Sequence, residues 1–165
     1  MLAIIPTVEQ AQELPALLTM VIPPQWQDLN GHVNVRHYLD IYDSSGWPLM
    51  NWLGIDESRF KVDRTGFFDL EHHIWYLAEM HVGDEVSAHT RFVGLSAKRF
   101  HGVMFVVNRT RRRVASALEF VTTGADLNTR RSAALPEDVS ERVRGLVAQH
   151  KGLTWPAPSC GSIAP

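Results

Sequence analysis

Trp26-Gln27-Asp28-Leu29-Asn30-Gly31-His32-Val33-Asn34 gathers a carboxylate, an imidazole, carboxamides and a glycine into a short polar loop, and an aromatic-rich helical pattern begins directly behind it. Asn34 suits an N-cap, since its side-chain oxygen can accept from the free amides of a first helical turn. Behind it Val35, Tyr38, Leu39, Tyr42, Leu49 and Leu53 recur at roughly three- and four-residue steps, a stripe that predicts a helix lying on a sheet. Asp40 and Asp43 fall off the stripe, and Ser45-Gly46 is small enough to let the helix approach the sheet at mid-length. Pro48 either kinks the helix or opens a second one, where its missing amide proton costs nothing. In both cases a carboxylate stands just ahead of a helix N-terminus, whose amides carry partial positive charge. That arrangement pairs a base with an oxyanion site.

Upstream, Thr19 to Trp26 reads as a first strand that Pro23-Pro24 confines to an edge or ends. Residues 1–18 read as an N-terminal extension, with Thr7 capping a short helix that carries Val8, Ala11, Leu14, Leu17 and Leu18. Downstream, Gly54 suits a helix C′ position, and Asp56 to Gly66 is a charged connection without pattern. From Phe67 the period becomes two: Phe68, Leu70, His72, Ile74 and Tyr76 on one side, Phe67, Asp69, Glu71, His73 and Trp75 on the other. A turn at His81 to Asp84, strands at Val86–Leu95, Lys98–Thr110 and Val114–Thr123, and a helix over 137–150 complete the pattern. The result is an α+β domain over 19–165: an antiparallel sheet around one long helix, with a C-terminal helix and tail.

Composition narrows the function. A formal net charge of −2 argues against non-specific nucleic-acid binding, and no apolar run has membrane-span length. The one cysteine, Cys160, excludes an internal disulfide, and the N-terminus lacks signal-peptide features. The expectation is a cytoplasmic protein. Eight histidines raise the question of a metal, but no His-Glu-x-x-His occurs and His72-His73 alternate across a strand, so none is expected.

The loop resembles that of the hotdog-fold acyl-CoA thioesterases of the 4-hydroxybenzoyl-CoA thioesterase type, and its version here is most similar to a subgroup associated with carnitine and betaine catabolism. Phe68-x-x-Glu71-x-His73-x-x-Tyr76-x-x-Glu79, Gly83-Asp84, Lys98-Arg99-Phe100-His101, and Glu119 with Asp126, Arg130 and Arg131 extend the resemblance over roughly residues 20–165. Gly124 stands where the betaine-linked subgroup is expected to carry a histidine. The resemblance implies a five-stranded sheet wrapped on a long central helix, a homodimer or a tetramer with active sites at the seam, a catalytic carboxylate at Asp28, and no cofactor beyond the CoA of the substrate.

The chemistry can also be argued from the residues. Thioester hydrolysis needs a group that activates water or attacks directly, together with oxyanion donors; thiolate leaves without a strong acid. On the residues alone Asp28 and Asn30 also read as plain turn and capping residues, and it is the resemblance that makes Asp28 the base or nucleophile; amides from Gly31 to Asn34 are the candidate donors, with Gly31 permitting close approach. His32 supports the loop, and Asn34 holds the acyl carbonyl or only caps. Trp26, Asn30, Tyr38 and Glu71 are candidates for contacting substrate. Lys98, Arg99 and the Arg109 to Arg113 cluster are candidates for the CoA phosphates, with a solvated hairpin tip the favoured reading for Arg111 to Arg113. A non-hydrolytic acyl-thioester-binding module and a hotdog hydratase are the rival readings.

Overall fold

The computed structural model describes residues 4–165. The elements are α1 (Val8–Ala11), β1 (Ala16–Val21), α2 (Arg36–Ser44), α3 (Gly46–Trp52), α4 (Glu57–Lys61), β2 (Thr65–Tyr76), β3 (Glu85–Leu95), β4 (Arg99–Asn108), β5 (Arg113–Asp126), β6 (Arg131–Ser132) and α5 (Glu137–Lys151). All strand pairs are antiparallel, in the order β1-β3-β4-β5-β2, with the two-residue β6 added to the end of β5. This is the hotdog arrangement expected from the sequence. No helix among the described residues is long and apolar enough to cross a membrane.

The sheet buries both faces. Its inner face takes Tyr38, Ile41, Leu49 and Leu53 from α2, α3 and the turn after them onto Phe92, Phe100, Met104 and Phe120, with Val139 and Val143 of α5 in the same cluster. Its outer face packs Val103, Phe105, Val107 and Ala117 against Ala11, Leu14 and Trp155. Thr7 caps α1 in a reciprocal box with Gln10, as its spacing predicts. The chain after α5 is held by Arg91, which donates to the carbonyls of Trp155 and His150 at 2.6 and 2.9 Å while lying 4.2 Å over the Trp155 ring.

Several expectations need correction. The first strand is Ala16–Val21, not Thr19–Trp26, because Pro23-Pro24 cannot donate and the chain turns there into a 3₁₀ segment, Pro24–Trp26. The central helix is two helices divided at Ser45, whose hydroxyl donates back to the Ile41 carbonyl at 2.7 Å, a bond that bends helices. Val35 and Leu39 are exposed, and Ile41 takes the buried place. On β2 the two sides trade places midway, because a register shift between Asp69 and Glu71 leaves Leu70 without a partner on β5. Phe67 and Asp69 therefore share the helix-facing side with His72, Ile74 and Tyr76, while Phe68 and Leu70 face solvent. The connection before β2 also contains a short helix, α4, capped by Asp56.

Candidate active site

The loop ahead of α2 is a closed hydrogen-bonded unit. Asp28 N–H donates to the His32 carbonyl at 2.9 Å, Gly31 N–H to the Asp28 carbonyl at 3.1 Å, and Asn34 N–H to the Trp26 carbonyl at 2.8 Å. Gly31 has φ +84, a left-handed conformation that only glycine adopts without strain. Val33 N–H donates to Met80 O at 2.8 Å, which ties the loop to the chain between β2 and β3. Trp26 stacks on His37 of α2 at 4.7 Å and 3°, so it anchors the loop to the helix.

Asp28 is the carboxylate of this unit, with a side chain 17% exposed. Asn30 donates to it twice, from the backbone to Oδ1 at 2.8 Å and from the side-chain amide to Oδ2 at 3.3 Å. His32 Nδ1 lies 3.9 Å from Oδ2 and 3.1 Å from the Val33 carbonyl oxygen. Donating to that carbonyl fixes the imidazole as a support beside the carboxylate. Asn34 Oδ1 accepts from the Arg36 amide at 3.2 Å, the capping role, although α2 begins only at Arg36.

The donors are narrower than the sequence suggests. Gly31 and Asn34 spend their amides inside the loop and Val33 spends its amide on Met80, whereas those of His32 and Val35 make no hydrogen bond among the described residues. Both residues line one groove of about 300 Å³, together with Val33, Tyr38, Tyr76, Leu77, Ala78 and Glu79. Its floor is a Tyr38–Tyr76 edge-to-face pair at 5.1 Å, with Tyr38 Oη donating to the Ala78 carbonyl at 3.0 Å. Burial, and with it the charge of Glu79, pushes the Tyr38 phenol above its ordinary value and keeps it a neutral donor.

Other candidates lie elsewhere in the protomer. Glu71 is exposed and pairs with Val121 just after the bulge, and it does not line the groove. Lys98 and Arg99 stand at the start of β4, at the far end of the sheet from the Met80 contact. Two further carboxylates adjoin the helix, and the sequence assigns a functional role to neither Asp69 nor its partners. The Asp69 carboxylate takes bonds from Tyr42 Oη at 2.9 Å, from Thr122 and from His72, and the three donors hold it below the usual carboxylate range against burial. Glu79, which with Glu71 reads from sequence as a strand residue able to reach an active site in a dimer, is the acid of the groove.

The family model of the Thioesterase-like superfamily matches residues 22–143, a span that contains the loop, both halves of the central helix and strands β2 to β5. The chain belongs to that superfamily. This thioesterase is 28% identical over 146 residues to a betainyl-CoA thioesterase from Pseudomonas aeruginosa, covering 88% of the chain and 91% of the relative. A Staphylococcus aureus protein solved in complex with CoA superposes with a TM-score of 0.77 at 24% identity, over 87% of this chain and 90% of that one. A 1,4-dihydroxy-2-naphthoyl-CoA thioesterase from Synechocystis superposes at 0.69 and 15% identity, over 78% and 95%. This thioesterase is thus a thioester hydrolase built on the hotdog fold.

Gly124 has a structural reason. A Cβ there would meet the Ala133 carbonyl oxygen at 2.9 Å and that of Ala134 at 3.3 Å, so the backbone of the tail occupies the space a histidine would need.

Proposed function

We propose that this protein hydrolyses short acyl-CoA thioesters, with Asp28 as its catalytic carboxylate. The observation that carries the reading is Asp28, held by Asn30 and lying 3.9 Å from His32, which with Val35 lines a groove and carries one of the only two amides of residues 31–36 that make no hydrogen bond among the described residues. As base, Asp28 takes a proton from water while the oxygen attacks the thioester carbon. The electron pair displaced onto the carbonyl oxygen is held by the His32 and Val35 amides. Collapse of the adduct breaks the C–S bond and expels CoA thiolate. As nucleophile, Asp28 forms an acyl anhydride and thiolate, and water then cleaves the anhydride.

The acyl group is small and cationic. Two tyrosine rings and the Glu79 carboxylate line the groove, a combination that suits a quaternary ammonium. The Pseudomonas aeruginosa relative, a betainyl-CoA thioesterase, supports this choice. The enzyme acts as a homodimer, since β2 ends the sheet with an open edge and exposes Phe68, Leu70 and Tyr76.

Free thiol release over an acyl-CoA panel tests the activity. Rapid release from betainyl-CoA is expected. Water addition to an enoyl-CoA without thiol release would mark a hydratase, and tight binding without turnover would mark a binding module.

A further inference from the structure

The turn between β4 and β5 carries Arg109, Arg111 and Arg112, and Arg113 opens β5 directly behind it. Three of these arginines have carboxylates of their own. Arg109 pairs with Glu85 at 2.7 Å, Arg111 Nε with Asp84 Oδ2 at 2.8 Å, and Arg112 with Glu9 at 3.2 Å. Arg113 makes no ion pair or side-chain hydrogen bond among the described residues, and it is exposed.

Its position is specific. Arg113 and Arg111 line a surface hollow of about 340 Å³ with Leu77, Ala78, Glu79 and His81. Leu77, Ala78 and Glu79 also line the groove beside His32 and Val35, so the two depressions adjoin along one stretch of backbone. That stretch is pinned to the start of β5, because Leu77 and Ala78 both donate to the Ala115 carbonyl, at 2.9 and 3.1 Å. The arginine two residues before Ala115 is therefore held at a fixed place relative to the groove. The hollow sets two guanidiniums against one carboxylate, and Arg111, tied to Asp84 through Nε, keeps its terminal nitrogens for a second anion.

We propose that this hollow is the phosphate end of the substrate site, with Arg113 as the principal clamp and Arg111 as its partner. The proposal rests on the acyl-CoA reading above and extends it. The thioester lies at His32 and Val35, the pantetheine arm crosses Leu77 and Ala78, and the phosphates meet the guanidinium forks. Lys98 and Arg99 of the same protomer are excluded from this role by distance. Ten residues of β4 separate them from the turn, about 30 Å of extended strand.

The test compares an acyl-CoA with the matching acyl-pantetheine, which lacks the phosphates, for the unaltered protein, Arg113→Ala, Arg113→Glu and the double change Lys98→Ala, Arg99→Ala. Arg113→Ala is expected to lower kcat/KM for acyl-CoA about 10- to 100-fold, mainly through KM, with Arg113→Glu worse and acyl-pantetheine within about twofold of the unaltered protein. The Lys98, Arg99 double change is expected to leave both substrates unaffected. Parallel losses on both substrates, or a loss confined to the Lys98, Arg99 variant, would overturn the assignment. Calorimetric binding of CoA itself keeps the test independent of turnover. Arg113→Ala must weaken CoA binding about 10-fold or more without lowering the melting temperature, even if no thioester is cleaved. Failure of the unaltered protein to bind CoA, or equal binding by the variant, counts against the clamp.

Discussion

Asn30 grips Asp28 at both carboxylate oxygens, at 2.8 and 3.3 Å. The carboxylate is therefore aimed by its neighbour in the loop. In the function proposed above, Asp28 reacts and Asn30 positions it.

Asp28→Asn should preserve the loop, since an amide still accepts from the Asn30 backbone, but it can neither deprotonate water nor attack. We expect kcat to fall by about 10²- to 10⁴-fold with acyl-CoA binding retained. Asn30→Ala should cost about 10-fold in kcat with little change in KM, because the backbone bond survives. Glu71→Gln, altering a residue outside the groove, should stay near unaltered turnover. Steady-state kinetics of the three variants checks the ranking, and loss confined to Glu71→Gln would move the catalytic carboxylate to the strand.

Glu79 should govern the choice between charged and uncharged acyl groups. The comparison uses betainyl-CoA and its neutral isostere 3,3-dimethylbutanoyl-CoA, which match in shape. Glu79→Gln is expected to lower kcat/KM for the cationic substrate about 10-fold while leaving the isostere within about twofold, given the magnitude of a close charge interaction. Equal turnover of both substrates by the unaltered protein would remove the cationic assignment and leave hydrolysis intact.

Stability should fall on mild acidification. Burial lowers the His150 imidazole, with the nearby Arg91 charge adding to it, and burial likewise lowers His89. His150 Nδ1 accepts from Phe92 N–H at 2.9 Å, a bond that protonation forbids. Because the unfolded chain binds these protons more readily, the stabilisation is complete above about pH 6.5 and is lost as pH falls through the lower folded values. A second loss begins below about pH 4.5 at Glu119. Burial alone would raise its carboxyl, but Cys160, His101 and Ser159 together hold it below the usual range. Its stabilisation is present above the unfolded value and disappears as pH drops through the folded one. Melting temperatures from about pH 8 down to about pH 2 should show both steps. Glu119→Ala should abolish the second and cost about 3 kcal/mol, by orphaning His101 and the Cys160 amide.

The open edge of β2 predicts self-association, and light scattering should report a dimer. Phe68→Glu, on the exposed outward side, should shift the protein toward monomer without unfolding it, because 66% of that residue is already in water. A stable, fully active monomer would contradict the assembly.

Much of this was legible in the residues. Thr7 with Gln10, Gly31 ahead of His32, and the period-two runs around Phe92, Phe105 and Phe120 carry local rules that tertiary packing did not override. The break in the helix was less legible, since Ser45 and Pro48 are both plausible bends and only the Ser45–Ile41 bond distinguishes them. The donors were hidden for a different reason. Whether an amide is free depends on partners such as Met80 and Trp26, which are brought in by the fold. The same holds for Arg113, whose place beside the groove follows from the Ala115 contacts of Leu77 and Ala78.

Leu70 is the one residue of β2 that the pairing with β5 does not count. Before it, Phe67 and Asp69 serve the interior; after it, His72, Ile74 and Tyr76 do, and the bulge absorbs the extra residue that would otherwise set the two halves on opposite faces. Deleting Leu70 would place all five in one unbroken two-residue alternation, still facing the helices. In a scan of single-residue deletions along β2, this exposed leucine should therefore be the tolerated position, because its loss straightens the strand without turning the interior set toward water.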